Sequence, residues 1–549
     1  MSTSGDGSIE NPPQSDTTNI TTTIRQMNGP PLTCSQALNT DFNFILEAGY
    51  VPETEAFYNK LWAERDVMRV IVKHHLGLSD KSICTIADQH DWMRGFFNVC
   101  IPVEVQSPDS FHKQKLILRC AMPHKLAEAY NPGSVDEKMG CEVGAYAWIQ
   151  ERCPEIRIPH LYGFAFSNQR HFTHEAHLPL HTRAASYLRR KLHKLLKHPL
   201  LLSRYTKNPS GHRLSSAYML LENVRTEDSH TLASNWERHQ EDPIRRYNLS
   251  RSIARIMLSL ARFPQSKIGS FQFHPNGTVT LTNRPLICTA MIHENEGAPM
   301  SMQRETTYTS TEPFVADMFH FHDKRFSGHP NVIDDAEDCR EEMAIRLLNR
   351  MVAHHYIRQD HRNGPYFLQL NDFHASNVFV DSDWNITSLI DLEWICALPV
   401  ELLEVPYWLS GCEIDEPRKE HWEDFNVVRK EFLKIFEAEA CVVRAEHGIS
   451  LAKIMRESWE SGGVWFWHGI TSQNAMTLLF KQHIQPRFLG KSLAGSEEEM
   501  LSSFWSEDSG KVVQRKVEEL EKYKGDVESL FSNGAKGGSN GINGSKGLE

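Results

Sequence analysis

Asp372, Asn377 and Asp391 have the side chains and the spacing that phosphoryl transfer needs. Such a reaction uses oxygen ligands for a hard cation and a carboxylate that accepts a proton from an attacking hydroxyl. The three lie in LQLNDFHASNVFVDSDWNITSLIDLEW, from Leu368 to Trp394. Val378, Phe379 and Val380 read as a strand, Asp381-Ser382-Asp383-Trp384-Asn385 as a mostly polar turn, and Ile386 to Ile390 as the return strand. A hairpin symmetric about Trp384 sets Val378 against Ile390 and Phe379 against Leu389, apolar against apolar. The same register sets Asn377 against Asp391, and directly opposed residues lie roughly 4.5–5.5 Å apart at Cβ. One Mg²⁺ could take an oxygen from each. Asp372, on the loop that enters the hairpin, is placed to act as the base. The apolar strand Tyr366–Leu370 buries the approach to it, and Asp391-Leu392-Glu393-Trp394 puts two carboxylates beside an aromatic at the far end.

At 549 residues and 63.0 kDa the chain is long enough for two or three packing units around this segment. Its formal net charge of -11 argues against a general nucleic-acid binder. The eleven cysteines are scattered and form no C-x-x-C pair, a pattern of buried thiols in a reducing compartment. The doublets His74-His75 and His354-His355 lack partners at metal-ligand spacing. The N-terminus is polar and acid-containing, without the apolar stretch of a signal peptide, and no apolar run is long enough to span a bilayer. A cytoplasmic protein with no stable membrane insertion is expected.

Residues 1–38 and 532–549 read as disordered tails rich in small and polar residues. A helical N-terminal extension covers 39–85, with a helix from Pro52 to His75 that ends before Gly77. Residues 86–224 read as a small lobe: strands around Gly95–Val105 and Lys115–Cys120, a helix over Asp136–Glu151, and a strand Ala217–Leu221 leading to Glu222-Asn223-Val224. Residues 225–531 read as a larger, mainly helical lobe, with helical periodicity over Ser252–Phe263, Cys339–His355, Phe425–Glu446 and Gln514–Tyr523. Within it Asn283–Arg325 reads as a loop-rich insertion that could serve as a substrate lid, and Trp459, Trp465, Phe466 and Trp467 as core. Thr182–Leu202 alternates Arg and Lys with Leu. It reads as a solvated helix packed on the small lobe, with a membrane-surface helix as the alternative.

This order of pieces, with DFHASN followed by ID, resembles the aminoglycoside phosphotransferase and choline-kinase-like family over roughly Gly95 to Ser410. The whole chain looks most like the large fungal phosphotransferase-like proteins. The family's H-G-D-x-H-x-x-N loop stands here as Leu370-Asn371-Asp372-Phe373-His374-Ala375-Ser376-Asn377. The leading His-Gly is replaced; the aspartate, second histidine and asparagine keep their places. The resemblance implies an α+β, two-lobed protein-kinase-like fold with a small mixed-sheet lobe and a larger helical one. It implies ATP and Mg²⁺ as cofactors and a small-molecule hydroxyl acceptor. Asp372 would be the catalytic base, and Asn377 and Asp391 the metal ligands. Arg119 would take the place of the basic residue on the α/β-phosphates, with Glu142 as its ion-pair partner. His374 would shape the loop, Gly95 would lie in the loop over the phosphates, and Leu220 to Val224, with Glu222 and Val224 within it, would be the hinge that meets adenine through its backbone. Glu393, Glu401 and Glu404 could supply acids for an amine or antibiotic substrate. An ATP-dependent small-molecule kinase is therefore expected, and the altered loop leaves open a kinase-like binding or scaffold protein. A protein kinase fits less well: no Arg precedes Asp372 and no D-F-G follows the hairpin.

Overall fold

The structure, a computed structural model, describes residues 23–538 apart from 28, 109–112, 413, 415–418, 444–446 and 492. Seven strands build its main sheet: β1 (Ile83–Ile86), β2 (Asn98–Gln106), β3 (Lys113–Ala121), β4 (Leu161–Ala165), β5 (His171–His174), β6 (Tyr205–Lys207) and β7 (Tyr218–Glu222). They lie in the order β6-β5-β4-β7-β3-β2-β1, all antiparallel, and Met93–Arg94 pairs beside β2. Period-two alternation gives the sheet its two faces. Val99, Ile101, Val103 and Val105 of β2 pack with Met68, Ile71 and Val72 of an N-terminal helix. Ile117, Met219 and Phe164 on the other face join the main core with helix α1 (Ser134–Arg152).

Helix α1 begins where Glu128 accepts hydrogen bonds from the Gly133 and Val135 amides, which satisfies orphan donors of its first turn. It is buried on all sides from Lys138 through Ile149. Its crossing with the strand Gly269–Phe273 is close: a Cβ on Gly144 would stand 2.7 Å from Phe271 Cβ, so the approach requires glycine. One continuous apolar core therefore runs from the main sheet through α1 into the second half of the chain.

That second half is mainly helical, with Pro243–Ala261, Thr311–Gly328, Ala336–Val352, Lys419–Val442, Leu451–Ser461 and Gly463–Thr471. Four strands carry the segment of chemical interest: β8 (Phe367–Leu370), β9 (Val378–Val380), β10 (Ile386–Leu389) and β11 (Ile395–Leu398). β8 and β11 pair at one side of a five-stranded sheet, and β9 and β10 form the hairpin, extended by His230–Thr231. The chain is thus mixed α+β, 52% helical and 16% strand, as expected. Among the described residues no helix is long and apolar enough to cross a membrane. The eleven cysteines are free thiols, and Trp465, Phe466 and Trp467 are core.

Four expectations are corrected. The helix expected over Pro52–His75 is two helices, Phe44–Ala63 and Arg65–Leu76. The Asn43 side chain caps the first at the Leu46 amide, so Pro52 falls inside it, and Gly77 ends the second at φ 64°. Residues 23–38 of the expected tail hold a Thr23–Ile24/Leu32–Thr33 pairing and the helix Cys34–Leu38, whose Ala37 packs with Phe44, Tyr523 and Phe531. The helix Ser509–Gly538 continues past 532, while 1–22 and 539–549 lie outside the described residues. The insertion Asn283–Arg325 contains the helix Cys288–Asn295 and most of Thr311–Gly328, because Phe314, Val315, Met318 and Phe319 bury one face of the latter. Helix α2 (Leu180–Leu195), by contrast, lies on the small lobe as a solvated helix: none of its residues is buried, and Ser186 stands 3.1 Å from Thr206 of β6.

Candidate active site

β8 runs buried to Leu370 and delivers Asn371 and Asp372 to the surface of a crevice. The Asn371 amide donates to the Trp394 carbonyl at 2.8 Å, which fastens this loop to the segment after the hairpin. The Asn377 amide donates to the Asp372 carbonyl at 2.9 Å and lies 3.2 Å from His374 Nε2. That nitrogen is 3.6 Å from Asp372 Oδ1, so His374 braces the loop from both ends.

The hairpin register differs by one residue from the symmetric expectation. Val378 pairs with Leu389 and Phe379 with Ser388, then a bulge brings Val380 to Ile386. The Asn377 carbonyl accepts from the Ile390 amide at 3.0 Å, so Asn377 faces Ile390 and not Asp391. The turn explains the shift. Asp381 accepts from the amides of Asp383 and Asn385, Trp384 adopts φ 63°, and its fully buried ring stacks on Trp236 at 5.4 Å. Burying the tryptophan takes up a residue of the turn and breaks its symmetry. Asp391 then lies past the ladder at φ 62°, ψ 62°, a left-handed conformation that costs most residues energy and that Asp tolerates better. Asp372, Asn377 and Asp391 nevertheless line one crevice of about 10 Å³, room for about one water.

Behind Asp391 lies a buried charge cluster. Arg119, from β3, bonds through one guanidinium nitrogen to Glu142 of α1, and through the other to Asp391 and, at 2.7 Å, to Glu393. Lys138 sits one helical turn before Glu142. It bonds Glu393, lies 3.6 Å from Glu142, and donates to the Asn98 side chain at 3.0 Å. Asn98 in turn donates to Glu393 at 3.1 Å. Three carboxylates thus surround two cations, and only Asp391, with its side chain 31% exposed, reaches the crevice. Burial pushes the Glu393 carboxyl up, but Lys138 and Arg119 together hold it below its ordinary value. Burial raises the Asp372 carboxyl, opposed by His374 and aided by Glu393, which moves it toward the range useful to a base. Carboxylate oxygens of Glu142, Asp391 and Glu393 lie within 4.8 Å of one another around the cations, and of these hard oxygens Asp391's is the one a cation such as Mg²⁺ could reach from the crevice.

The remaining expected residues do not line this crevice. The Gly95 amide donates to the Asn98 carbonyl at 2.8 Å to close the turn into β2, so it is not available to cradle a phosphate. Glu222 ends β7 turned toward Arg157 at 2.5 Å and accepts from the His160 amide at 3.0 Å, and Val224 is half-buried just beyond. Neither Glu393 nor Glu401 serves as an acid for an amine. The first is held in the cluster, and the second is buried and accepts from the Arg358 amide at 2.9 Å.

Asp372 also lines a much larger cavity of about 930 Å³. Trp236, Phe373, Tyr407 and Trp408 are among its walls, and Asp372 and Glu404 are its acids. Burial pushes Glu404 up to about 8, against the weaker pull of Ser458 and Arg429. Lys138, Asn98, Asn371 and these aromatics escape the sequence reading. A signal existed for Lys138, which stands at the i, i+4 spacing from Glu142 that places two side chains on one helix face. No protein-family model matches the chain, and no curated protein matches it either.

Proposed function

We propose that the chain is an ATP- and Mg²⁺-dependent phosphotransferase that moves the γ-phosphate to a hydroxyl of a small molecule, on a two-lobed, protein-kinase-like scaffold. The observation that carries this reading is the convergence of Asp372, Asn377 and Asp391 on one crevice that shares Asp372 with the large cavity. The ion pair of Arg119 on a sheet strand with Glu142 on the following helix supports it. Protein kinases use a strand lysine and a helix glutamate in that way. Arg in place of Lys offers a planar fork instead of a point charge.

Asp372 is the group that touches the acceptor hydroxyl: it lines both spaces, and its raised carboxyl takes the proton as the oxygen attacks. His374 and the Asn377 amide hold the loop so that this carboxylate keeps its aim. Mg²⁺, when bound, would neutralise charge on the nucleotide phosphates, with Asp391 and Asn377 as oxygen donors. Arg119 would leave Asp391 for the phosphates while Glu142 keeps its other nitrogen. The aromatic cavity, with Glu404 largely neutral near pH 7, favours a bulky, mostly apolar hydroxyl compound over a polycationic one.

A second reading, a kinase-like binding protein without turnover, is favoured by one contact: Arg119 occupies the metal-ligand carboxylate Asp391. Phosphate transfer measured over aromatic alcohols, amino alcohols and amino sugars separates the two. The first reading expects transfer that Asp372→Asn removes. Tight nucleotide binding with no transfer and no effect of Asp372→Asn supports the second.

A further inference from the structure

Helix α2 is amphipathic the wrong way round for a helix of a lone globular chain. Thr182, Ser186, Arg190 and His193, which share one face, are half-buried against the protein. Ser186 meets Thr206 at 3.1 Å, and Arg190 is bonded to Glu175. Lys194 lies 3.5 Å from Glu151, and Arg189 donates to the Asn276 carbonyl. The polar face is therefore the docked one. Leu188, Leu192 and Leu195, at i, i+4 and i+7, point the other way, and with Leu180 and Leu196 they are 56–79% exposed. A contiguous exposed leucine face of this kind marks an interaction surface.

The charge around that face selects its partner. From Leu180 to Leu202 the chain has Arg183, Arg189, Arg190, Lys191, Lys194 and Lys197 and no Asp or Glu, in a protein of net charge -11. Two of these cations are answered by Glu175 and Glu151, which leaves a positive excess beside the leucines. Lys191 and Arg189 flank the leucine arc on either side by helical geometry. A leucine-to-leucine contact between two copies would set these like charges against each other. A bilayer leaflet carrying anionic headgroups takes the leucines below the headgroups and the cations among them. The helix is held flat on the protein by its polar face, so it can lie in the interface without spanning it, in keeping with the lack of a membrane-crossing helix among the described residues.

We propose that α2 is a peripheral membrane-binding element that seats the protein on anionic phospholipid. The inference is independent of the phosphotransfer reading.

Co-sedimentation of the full chain with vesicles tests it, using phosphatidylcholine alone and with about 30% phosphatidylserine. The wild type should pellet with the phosphatidylserine vesicles at about 0.1 M salt, stay in solution with phosphatidylcholine alone, and be released at about 1 M salt. The triple variant Leu188→Ser, Leu192→Ser, Leu195→Ser should bind at least about tenfold more weakly with an unchanged melting temperature, since these side chains touch solvent. If that variant does not fold, Arg189→Glu with Lys191→Glu takes its place with the same expectation. Failure of the wild type to pellet at low salt overturns the proposal. So does equal binding by a folded variant, or a lipid-free dimer that the leucine substitutions turn into monomers.

Discussion

Helix α1 contributes to two charge clusters that share much of their chemistry and differ in charge balance and in access to a crevice. On one side Glu137 joins Glu294 in holding Arg284, with Arg284 Nε 2.8 Å from Glu137 and Nη2 2.8 Å from Glu294, while Arg304 lies 3.0 Å from Glu137. Two arginines there meet two carboxylates, and every charge is answered within the protein. On the other side Lys138 and Glu142 join Arg119, Asp391 and Glu393, where three carboxylates meet two cations. Asp391 is the member that reaches open space. A charge-balanced cluster whose carboxylates are both buried, closed in that sense, fixes structure. An acid excess with one carboxylate at a crevice leaves a place for a further cation, which the proposed phosphotransfer requires.

Removing a charge from the closed cluster should act on stability alone. Arg284→Ala leaves the buried Glu294 carboxylate unanswered and Glu137 with Arg304 alone, and should cost about 3–5 kcal/mol in denaturant unfolding, enough to leave little folded protein. A loss below about 1 kcal/mol would mean the two clusters are not distinguished as described. In the open cluster's neighbourhood the same kind of change should act on chemistry. Asp372→Asn should lower turnover by about 10²–10⁴-fold with a melting temperature near the wild type's. A variant that melts much earlier would place Asp372 with the structural charges.

Glu404 adds a pH signature in the same direction as the raised Glu142 and Glu294 carboxyls of the two clusters, and it can be isolated by substitution. Its carboxyl is pushed from an ordinary value near 4.5 up to about 8 by burial, so the folded protein keeps a proton that the unfolded chain releases. The associated stability is therefore complete below about pH 4.5 and is lost as pH rises through about 8, an effect on the order of 3–5 kcal/mol. Unfolding free energies from pH 5 to 8 should fall for the wild type and stay flatter for Glu404→Gln. The smallest effect is expected for Arg119→Lys, which keeps the charge and loses the fork. Turnover within about tenfold of wild type is the predicted outcome, and a far larger loss would show that the two-way contact to Glu142 and Asp391 is needed in catalysis.

The sequence made the mixed α+β character legible, along with the hairpin and the loop holding Asp372, because periodicity and turn residues are local signals. The register escaped it. Trp384 looks like a turn residue by its neighbours, and only the Trp236 ring across the fold explains why it is buried at φ 63°. Lys138 escaped for a related reason: a lysine in a helix reads as solvated until the strand and loop that bury it are in place. Helix α2 shows the limit most clearly. Its leucine period announces an amphipathic helix, but period alone does not say which face the rest of the molecule will take.

The phosphotransfer account rests on the Asp391 crevice accepting a metal-bound nucleotide in place of the Arg119 contact. Thermal shift with ATP, with and without Mg²⁺, on the wild type and Asp391→Asn, measures that directly. The account predicts a rise in melting temperature for the wild type that needs both ATP and Mg²⁺ and is lost in Asp391→Asn. No shift at saturating ATP and Mg²⁺, or an equal shift in both proteins, would contradict it.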